Sequence, residues 1–134
     1  FYFCQFAARA MMKKGYGKIV NTASIAGMRG VKNASVYSAT KAAVIHMSEA
    51  LSNEWSAQGI HVNCVCPGFT ETSLAKVSLQ NPERMKEVLA SLPIGRIGQP
   101  SDIAGAVVFL ACPASDFITG AHLPVDGGAS SCGT

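Results

Sequence analysis

The chain has 134 residues, enough for one domain or part of a larger one. Apolar residues make up 49% and charged residues 14%, which predicts a well-buried core. The formal charge of +3 comes without a basic stripe interleaved with aromatics, and no apolar run approaches a membrane span. That excludes a nucleic-acid surface of the usual kind and a membrane-crossing helix.

The chain opens in a helical pattern, with Phe3, Phe6, Ala7, Ala10 and Met11 on one face and no cap before it. It is therefore expected to be part of a longer protein. Lys13 and Lys14 suit the negative end of that helix, and Gly15 supplies a stop. Residues 18–24, KIVNTAS, read as a short buried strand, and a glycine-containing loop with Gly27 and Gly30 follows. A long helix is expected from Val36 to about Gln58, ended by Gly59. Residues 60–66, IHVNCVC, form the second strand, stopped by Pro67 and Gly68. Residues 73–95 read as a helical lid, with Leu74, Val77, Met85, Val88, Leu89 and Leu92 along one side and Pro82 and Pro93 interrupting it. Pro100 opens a further helix, where its fixed φ is tolerated. Residues 121–128 supply the third strand and its turn.

Strand and helix alternate, which predicts an α/β fold with a parallel sheet and right-handed crossovers. Three parallel strands want neighbours on both sides, which again points to missing upstream strands. The cysteines, Cys4, Cys64, Cys66, Cys112 and Cys132, are scattered and odd in number. They form neither a disulfide framework nor a zinc set, and read as buried reduced thiols of a cytoplasmic protein.

Tyr37 and Lys41 stand four residues apart on the long helix and so share a face. A free tyrosine titrates near about 10 and is a poor base at neutral pH, but a fixed ammonium favours the phenolate. On its own the pair equally suits an ordinary solvated helix face. Ser24 alters that balance, because it ends the first strand just ahead of the Tyr37 helix. Ligands of open α/β sheets bind beyond the carboxyl ends of the strands, where a serine can donate to a substrate oxygen. A serine bonding its own loop backbone is the bland alternative. Pro67 and Gly68 end the second strand at the same edge, and Thr70 and Thr72 follow with backbone and hydroxyl groups to offer. Here the bland alternative is a turn with a helix cap at Thr72 or Ser73.

NTASIAG, VYSATKAAV, IHVNCVCPGFTET, GRIGQPSDIAGAVVFLA and ITGAHLPVDGG together resemble the short-chain dehydrogenase/reductase family, in order and spacing and over essentially the whole chain. The resemblance implies the C-terminal part of a Rossmann-like, doubly wound parallel sheet of order 3-2-1-4-5-6-7, of which this chain carries the last three strands. Residues 1–134 would then be a single partial domain, the catalytic and substrate-binding half, without the N-terminal dinucleotide-binding half. Tyr37 resembles the catalytic acid/base. Lys41 resembles the residue that tunes it and binds the nicotinamide ribose, and Ser24 the residue that holds the substrate oxygen. Tyr37, Lys41, Pro67, Gly68, Thr70 and Thr72 resemble cofactor-binding positions, and residues 73–95 the variable substrate lid. A catalytic asparagine that the family often adds would fall upstream of Phe1. The glycine-rich turn that takes the pyrophosphate in the family has no counterpart in these residues.

The implied function is NAD- or NADP-dependent hydride exchange with a ketone or secondary alcohol, a small-molecule substrate, in a full-length homodimer or homotetramer. The chain by itself is expected to be inactive. One rival is a silent fragment that serves only in subunit assembly. Another is a serine hydrolase using Ser24, a histidine and Asp126, but its elbow should read Gly-x-Ser-x-Gly where this chain has Thr22-Ala23-Ser24-Ile25-Ala26.

Overall fold

The computed structural model of the chain describes residues 1–73, 75 and 80–131. Leu74 and Val77 of the expected lid, and Cys132, lie outside them. Among the described residues the strands are β1 (Gly17–Thr22), β2 (Ile60–Pro67) and β3 (His122–Val125). They form one parallel sheet in the order β1-β2-β3. Gly17 lies beside Ile60 and Thr22 beside Val65, while Cys64 lies beside His122 and Pro67 beside Val125. The helices are α1 (Tyr2–Met12), α2 (Ile25–Met28), α3 (Ser35–Trp55), α4 (Pro82–Ala90) and α5 (Pro100–Ala111). None of them is long and apolar enough to cross a membrane.

β2 is the spine. Ile60, Val62, Cys64 and Cys66 are fully buried and alternate along it, so they share one face. Ile60 and Val62 pack with Cys4 and Ala8 of α1 and Leu51 of α3. Cys64 and Cys66 pack with Ala23, Ile25, Ile45, Val88 and Leu92. The shared face expected of the two cysteines is therefore the α3 side of the sheet. The neighbouring Cys66 thiol and burial push the Cys64 thiol up, so it stays protonated.

The residues between these on β1 and β2 face the other way, toward the end of α5. Lys18 is almost wholly buried there and donates to Ser115 Oγ at 2.8 Å, with Asp116 Oδ1 at 2.9 Å. Asn63, fully buried, donates to the Ile118 carbonyl and accepts from the Ala121 N–H, both at 2.9 Å. These bonds satisfy a loop that leads into β3 beneath the sheet.

The uniformly right-handed crossovers expected from the alternation do not follow. Both crossovers step the same way across the sheet, while α3 and α5 lie on opposite faces. They are therefore of opposite hand, and the connector 112–121 that follows α5 is bonded by Lys18 and Asn63. Other local differences have simple causes. β1 ends at Thr22, and Ser24 caps the one-turn α2 that replaces the expected loop. The long helix ends at Trp55 and tightens to 3-10 over Ser56–Gln58, before Gly59 turns the chain at φ 79°. Pro82 does not interrupt a helix but begins α4, with Asn81 Oδ1 accepting from the Glu83 N–H at 3.0 Å. Val88 and Leu92 bury, but Leu89 is exposed. Pro100 does open α5, where Gln99 and Asp102 cap each other. Arg96 forks onto Asp102 at 2.7 and 3.0 Å and holds its carboxyl down at about 2.

Candidate active site

The carboxyl ends of β1 and β2 and the start of α3 meet at one edge of the sheet. Ser24 lies there as the N-cap of α2 and is 92% buried, since its relative exposure is 8%. Its Oγ accepts from the Ala26 N–H at 3.1 Å. That is the loop-serine bond of the bland alternative, yet it leaves the hydroxyl proton free to donate outward. Fixing the acceptor side of a serine turns its donor in a defined direction.

Gly27 brings this turn onto α3. A Cβ there would stand 2.5 Å from the Lys41 carbonyl carbon and 2.7 Å from the Ala42 nitrogen. Only a glycine admits so close an approach of two backbones. Ser24 is thereby locked to the helix turn that bears Tyr37 and Lys41.

Lys41 is half-buried and donates to the Thr22 carbonyl, the last of β1, at 3.2 Å. Its ammonium lies 5.8 Å from the centroid of the Tyr37 ring, within cation–π range. The helical spacing read from the sequence does place the pair on one face. Tyr37 is 47% exposed, and among the described residues nothing bonds its hydroxyl. Beneath them lies Cys66, whose thiol is held below its ordinary range by Cys64, and further by the Ser24 backbone N–H and the Lys41 charge, against the opposing effect of burial. The floor of the site is therefore the buried end of β2.

Pro67 ends β2, and Gly68 donates its N–H to the Val125 carbonyl at 3.1 Å. A Cβ on Gly68 would meet Asp126 Cβ at 2.7 Å, so this glycine too permits a close pass. Thr70 donates to the Gly68 carbonyl at 3.2 Å and pairs with Gly98 in an isolated parallel bridge. Gly98 donates to the Phe69 carbonyl at 3.0 Å and accepts from the Glu71 N–H at 2.8 Å. The 67–72 strap is thus pinned across the sheet edge. Thr72 Oγ1 accepts from the Ala75 N–H at 3.3 Å, the capping role of the bland alternative. A cavity of about 140 Å³ lies under the strap between Phe69, Ile94, Ile103 and Val125, and neither Ser24, Tyr37 nor Lys41 lines it.

The sequence reading missed the Thr22 carbonyl, Gly27 and Gly98. Gly27 carried a signal, a glycine three residues after the candidate serine. Thr22 and Gly98 act through their backbones and carried none.

Residues 1–130 match the family described as Enoyl-(Acyl carrier protein) reductase. The chain is 42% identical over 128 residues to 2-dehydro-3-deoxy-D-gluconate 5-dehydrogenase of Bacillus subtilis, covering 96% of this chain and 50% of that protein. It is 45% identical over 125 residues to 3-oxoacyl-[acyl-carrier-protein] reductase of Chlamydia trachomatis, covering 93% and 50%. A solved gluconate 5-dehydrogenase from Burkholderia cenocepacia, in complex with NADP and tartrate, superposes with a TM-score of 0.93 at 36% identity, over 96% of this chain and 51% of that one. The chain spans about half the length of the curated relatives it matches.

Proposed function

Since the chain belongs to the short-chain dehydrogenase/reductase family, we propose that it is the catalytic half of an NAD- or NADP-dependent oxidoreductase acting on a ketone or secondary alcohol. The observation that carries this reading is the lock at Gly27, which joins the Ser24 turn to the Tyr37–Lys41 face at the carboxyl edge of the sheet. The residues suit a nicotinamide nucleotide. Lys41, with one proton spent on the Thr22 carbonyl, keeps two donors for ribose hydroxyls. The pinned strap offers Pro67, Gly68, Thr70 and Thr72 to the carboxamide end, and Tyr37 completes the cofactor contacts.

When bound, the cofactor supplies or accepts the hydride. The protein's part is to hold the oxygen and move its proton. Ser24 donates its free hydroxyl proton to the substrate oxygen. Tyr37 gives that oxygen a proton in reduction and takes it back in oxidation, as general acid or base. Lys41 keeps a positive charge beside the phenol, 5.8 Å from the ring centroid, where charge develops as the proton moves. Two donors converging on one oxygen stabilise the charge that develops there.

A second role rests on other residues. Tyr2, Phe3 and Phe6 of α1 and Val36 of α3 are exposed, Phe3 to 93%. They support packing against a second subunit in a homodimer or homotetramer, with a small-molecule substrate as the other partner. A chain that served assembly alone would need only this surface.

The test is nicotinamide absorbance in the full-length enzyme that these residues complete. The expected result is ketone-dependent consumption of NADH or NADPH. Subunit association without any such consumption would favour the assembly role, and ester cleavage with unchanged absorbance would favour a serine hydrolase.

A further inference from the structure

Both backbone bonds of the Thr70–Gly98 bridge involve Gly98, which donates to the Phe69 carbonyl at 3.0 Å and accepts from the Glu71 N–H at 2.8 Å. The residues flanking Thr70 are thus spent on Gly98, and Thr70 turns its own N–H and carbonyl to the opposite side of the strap. Among the described residues neither of these two groups has a partner. A donor and an acceptor side by side on a pinned backbone suit the carboxamide assigned to this strap above, which offers one of each. How well they suit it depends on where the strap is held.

One side-chain bond continues the bridge where the backbone bonds stop. Gln99 Nε2 donates to Glu71 Oε2 at 2.8 Å, one residue beyond Thr70 and Gly98 on their two segments. Its acceptor is a carboxylate, which makes it a charge-assisted bond. Among the described residues no cation lies within ion-pair distance of Glu71, so the Gln99 amide is its side-chain partner. The anchor on the other side is fastened in turn. Asp102 Oδ2 accepts from the Gln99 N–H and from Arg96 Nη1, both at 2.7 Å, and Oδ1 accepts from Arg96 Nη2 at 3.0 Å. Arg96 Nη1 also donates to the Ile97 carbonyl at 3.2 Å. The turn 96–99 is thereby fixed to the start of α5, and it carries that fixity to the strap through Gly98 and Gln99.

We propose that Glu71 and Gln99 are positioning residues for the cofactor: their side-chain bond sets where the strap holds Thr70, and so how tightly a nicotinamide nucleotide binds. This rests on the oxidoreductase reading above. The two residues act through the Thr70 backbone and not by contact with the nucleotide. Both are exposed, so the fold does not depend on their bond, and its loss shows in binding before it shows in stability.

The test is calorimetry of NADH and NADPH binding to the full-length enzyme, with steady-state kinetics on the same variants. Glu71→Ala should weaken binding of the preferred dinucleotide about 2- to 10-fold, the size of one net hydrogen bond. Its KM should rise by a like factor, with a smaller change in kcat and an unchanged Tm. Gln99→Ala should weaken binding similarly. The double variant should bind no more weakly than either single one, since both remove the same bond. Glu71→Gln, which keeps an oxygen for the Gln99 amide, should recover most of the loss. Unchanged binding by Glu71→Ala, with or without a lowered Tm, would overturn the proposal. So would losses that multiply in the double variant. Tighter binding by both Glu71→Ala and Glu71→Gln would also overturn it, by making Glu71 a charge that repels the cofactor phosphates. In each of these cases the unaltered enzyme binds a dinucleotide. Should it bind neither, the oxidoreductase reading fails, and this proposal fails with it.

Discussion

Tyr37→Phe in the full-length enzyme is expected to lower turnover by about 10²- to 10⁴-fold, the range that a positioned general acid contributes. Cofactor affinity should fall far less than turnover. The substitution is unusually clean here. Among the described residues the Tyr37 hydroxyl bonds nothing and the ring is half exposed, so no buried partner is orphaned. The ring itself remains, and with it the contact to the Lys41 ammonium at 5.8 Å. Only the exchangeable proton is removed. Steady-state kcat with a urea-unfolding control separates this from a loss of fold. Near-normal turnover by a folded Tyr37→Phe enzyme would remove Tyr37 from the chemistry.

Gly27→Ala should be almost as damaging by a different route. The added methyl would meet the Lys41 carbonyl carbon at 2.5 Å and the Ala42 nitrogen at 2.7 Å, both backbone atoms that cannot rotate aside. The α2 turn must lift from α3, and Ser24, its N-cap, must move with it. Overpacking of this kind costs about 1–3 kcal/mol of stability. A displacement near 1 Å at the reacting oxygen costs about 10²-fold in rate. Intrinsic helix propensity pulls the other way, since alanine is favoured over glycine by about 1 kcal/mol inside a helix. Thermal unfolding therefore decides between the two effects. A lowered Tm with kcat reduced about 10²-fold is expected, whereas a raised Tm with unchanged kcat would show that the lock at Gly27 is not real.

Much of the fold is legible because this chain punctuates itself strongly. Gly15, Gly59 and Pro67 bound strands built around Ile19, Val20, Ile60, Val62 and Val65, and Pro100 marks a helix start. The parallel sheet follows from the alternation of strand and helix, and the shared face of Tyr37 and Lys41 from the 3.6-residue helical repeat. What is illegible depends on contacts between distant segments. At Pro82 the signal is present in the sequence but is overridden by reading residues 73–95 as one helix: Asn81 just before the proline and Glu83 just after it are residues that start a helix. The Thr70–Gly98 bridge joins positions 28 residues apart through backbone atoms, which any side chain could have supplied. The opposite hand of the two crossovers depends on the face that α5 takes, and Lys18 and Asn63, which bond the 112–121 connector on that face, each read alone as an ordinary strand position. Ser24 shows both sides. Its place at the sheet edge was readable, but its role as a helix cap, which frees its proton, required the Ala26 contact.

A crystal structure of the full-length enzyme with NADP and a bound secondary alcohol tests the shared role of Ser24 and Tyr37 most directly. The hydroxyls of both should lie within about 2.6–3.2 Å of the same substrate oxygen. Two hydroxyls opening onto separate cavities, with the alcohol touching only one or neither, would contradict it.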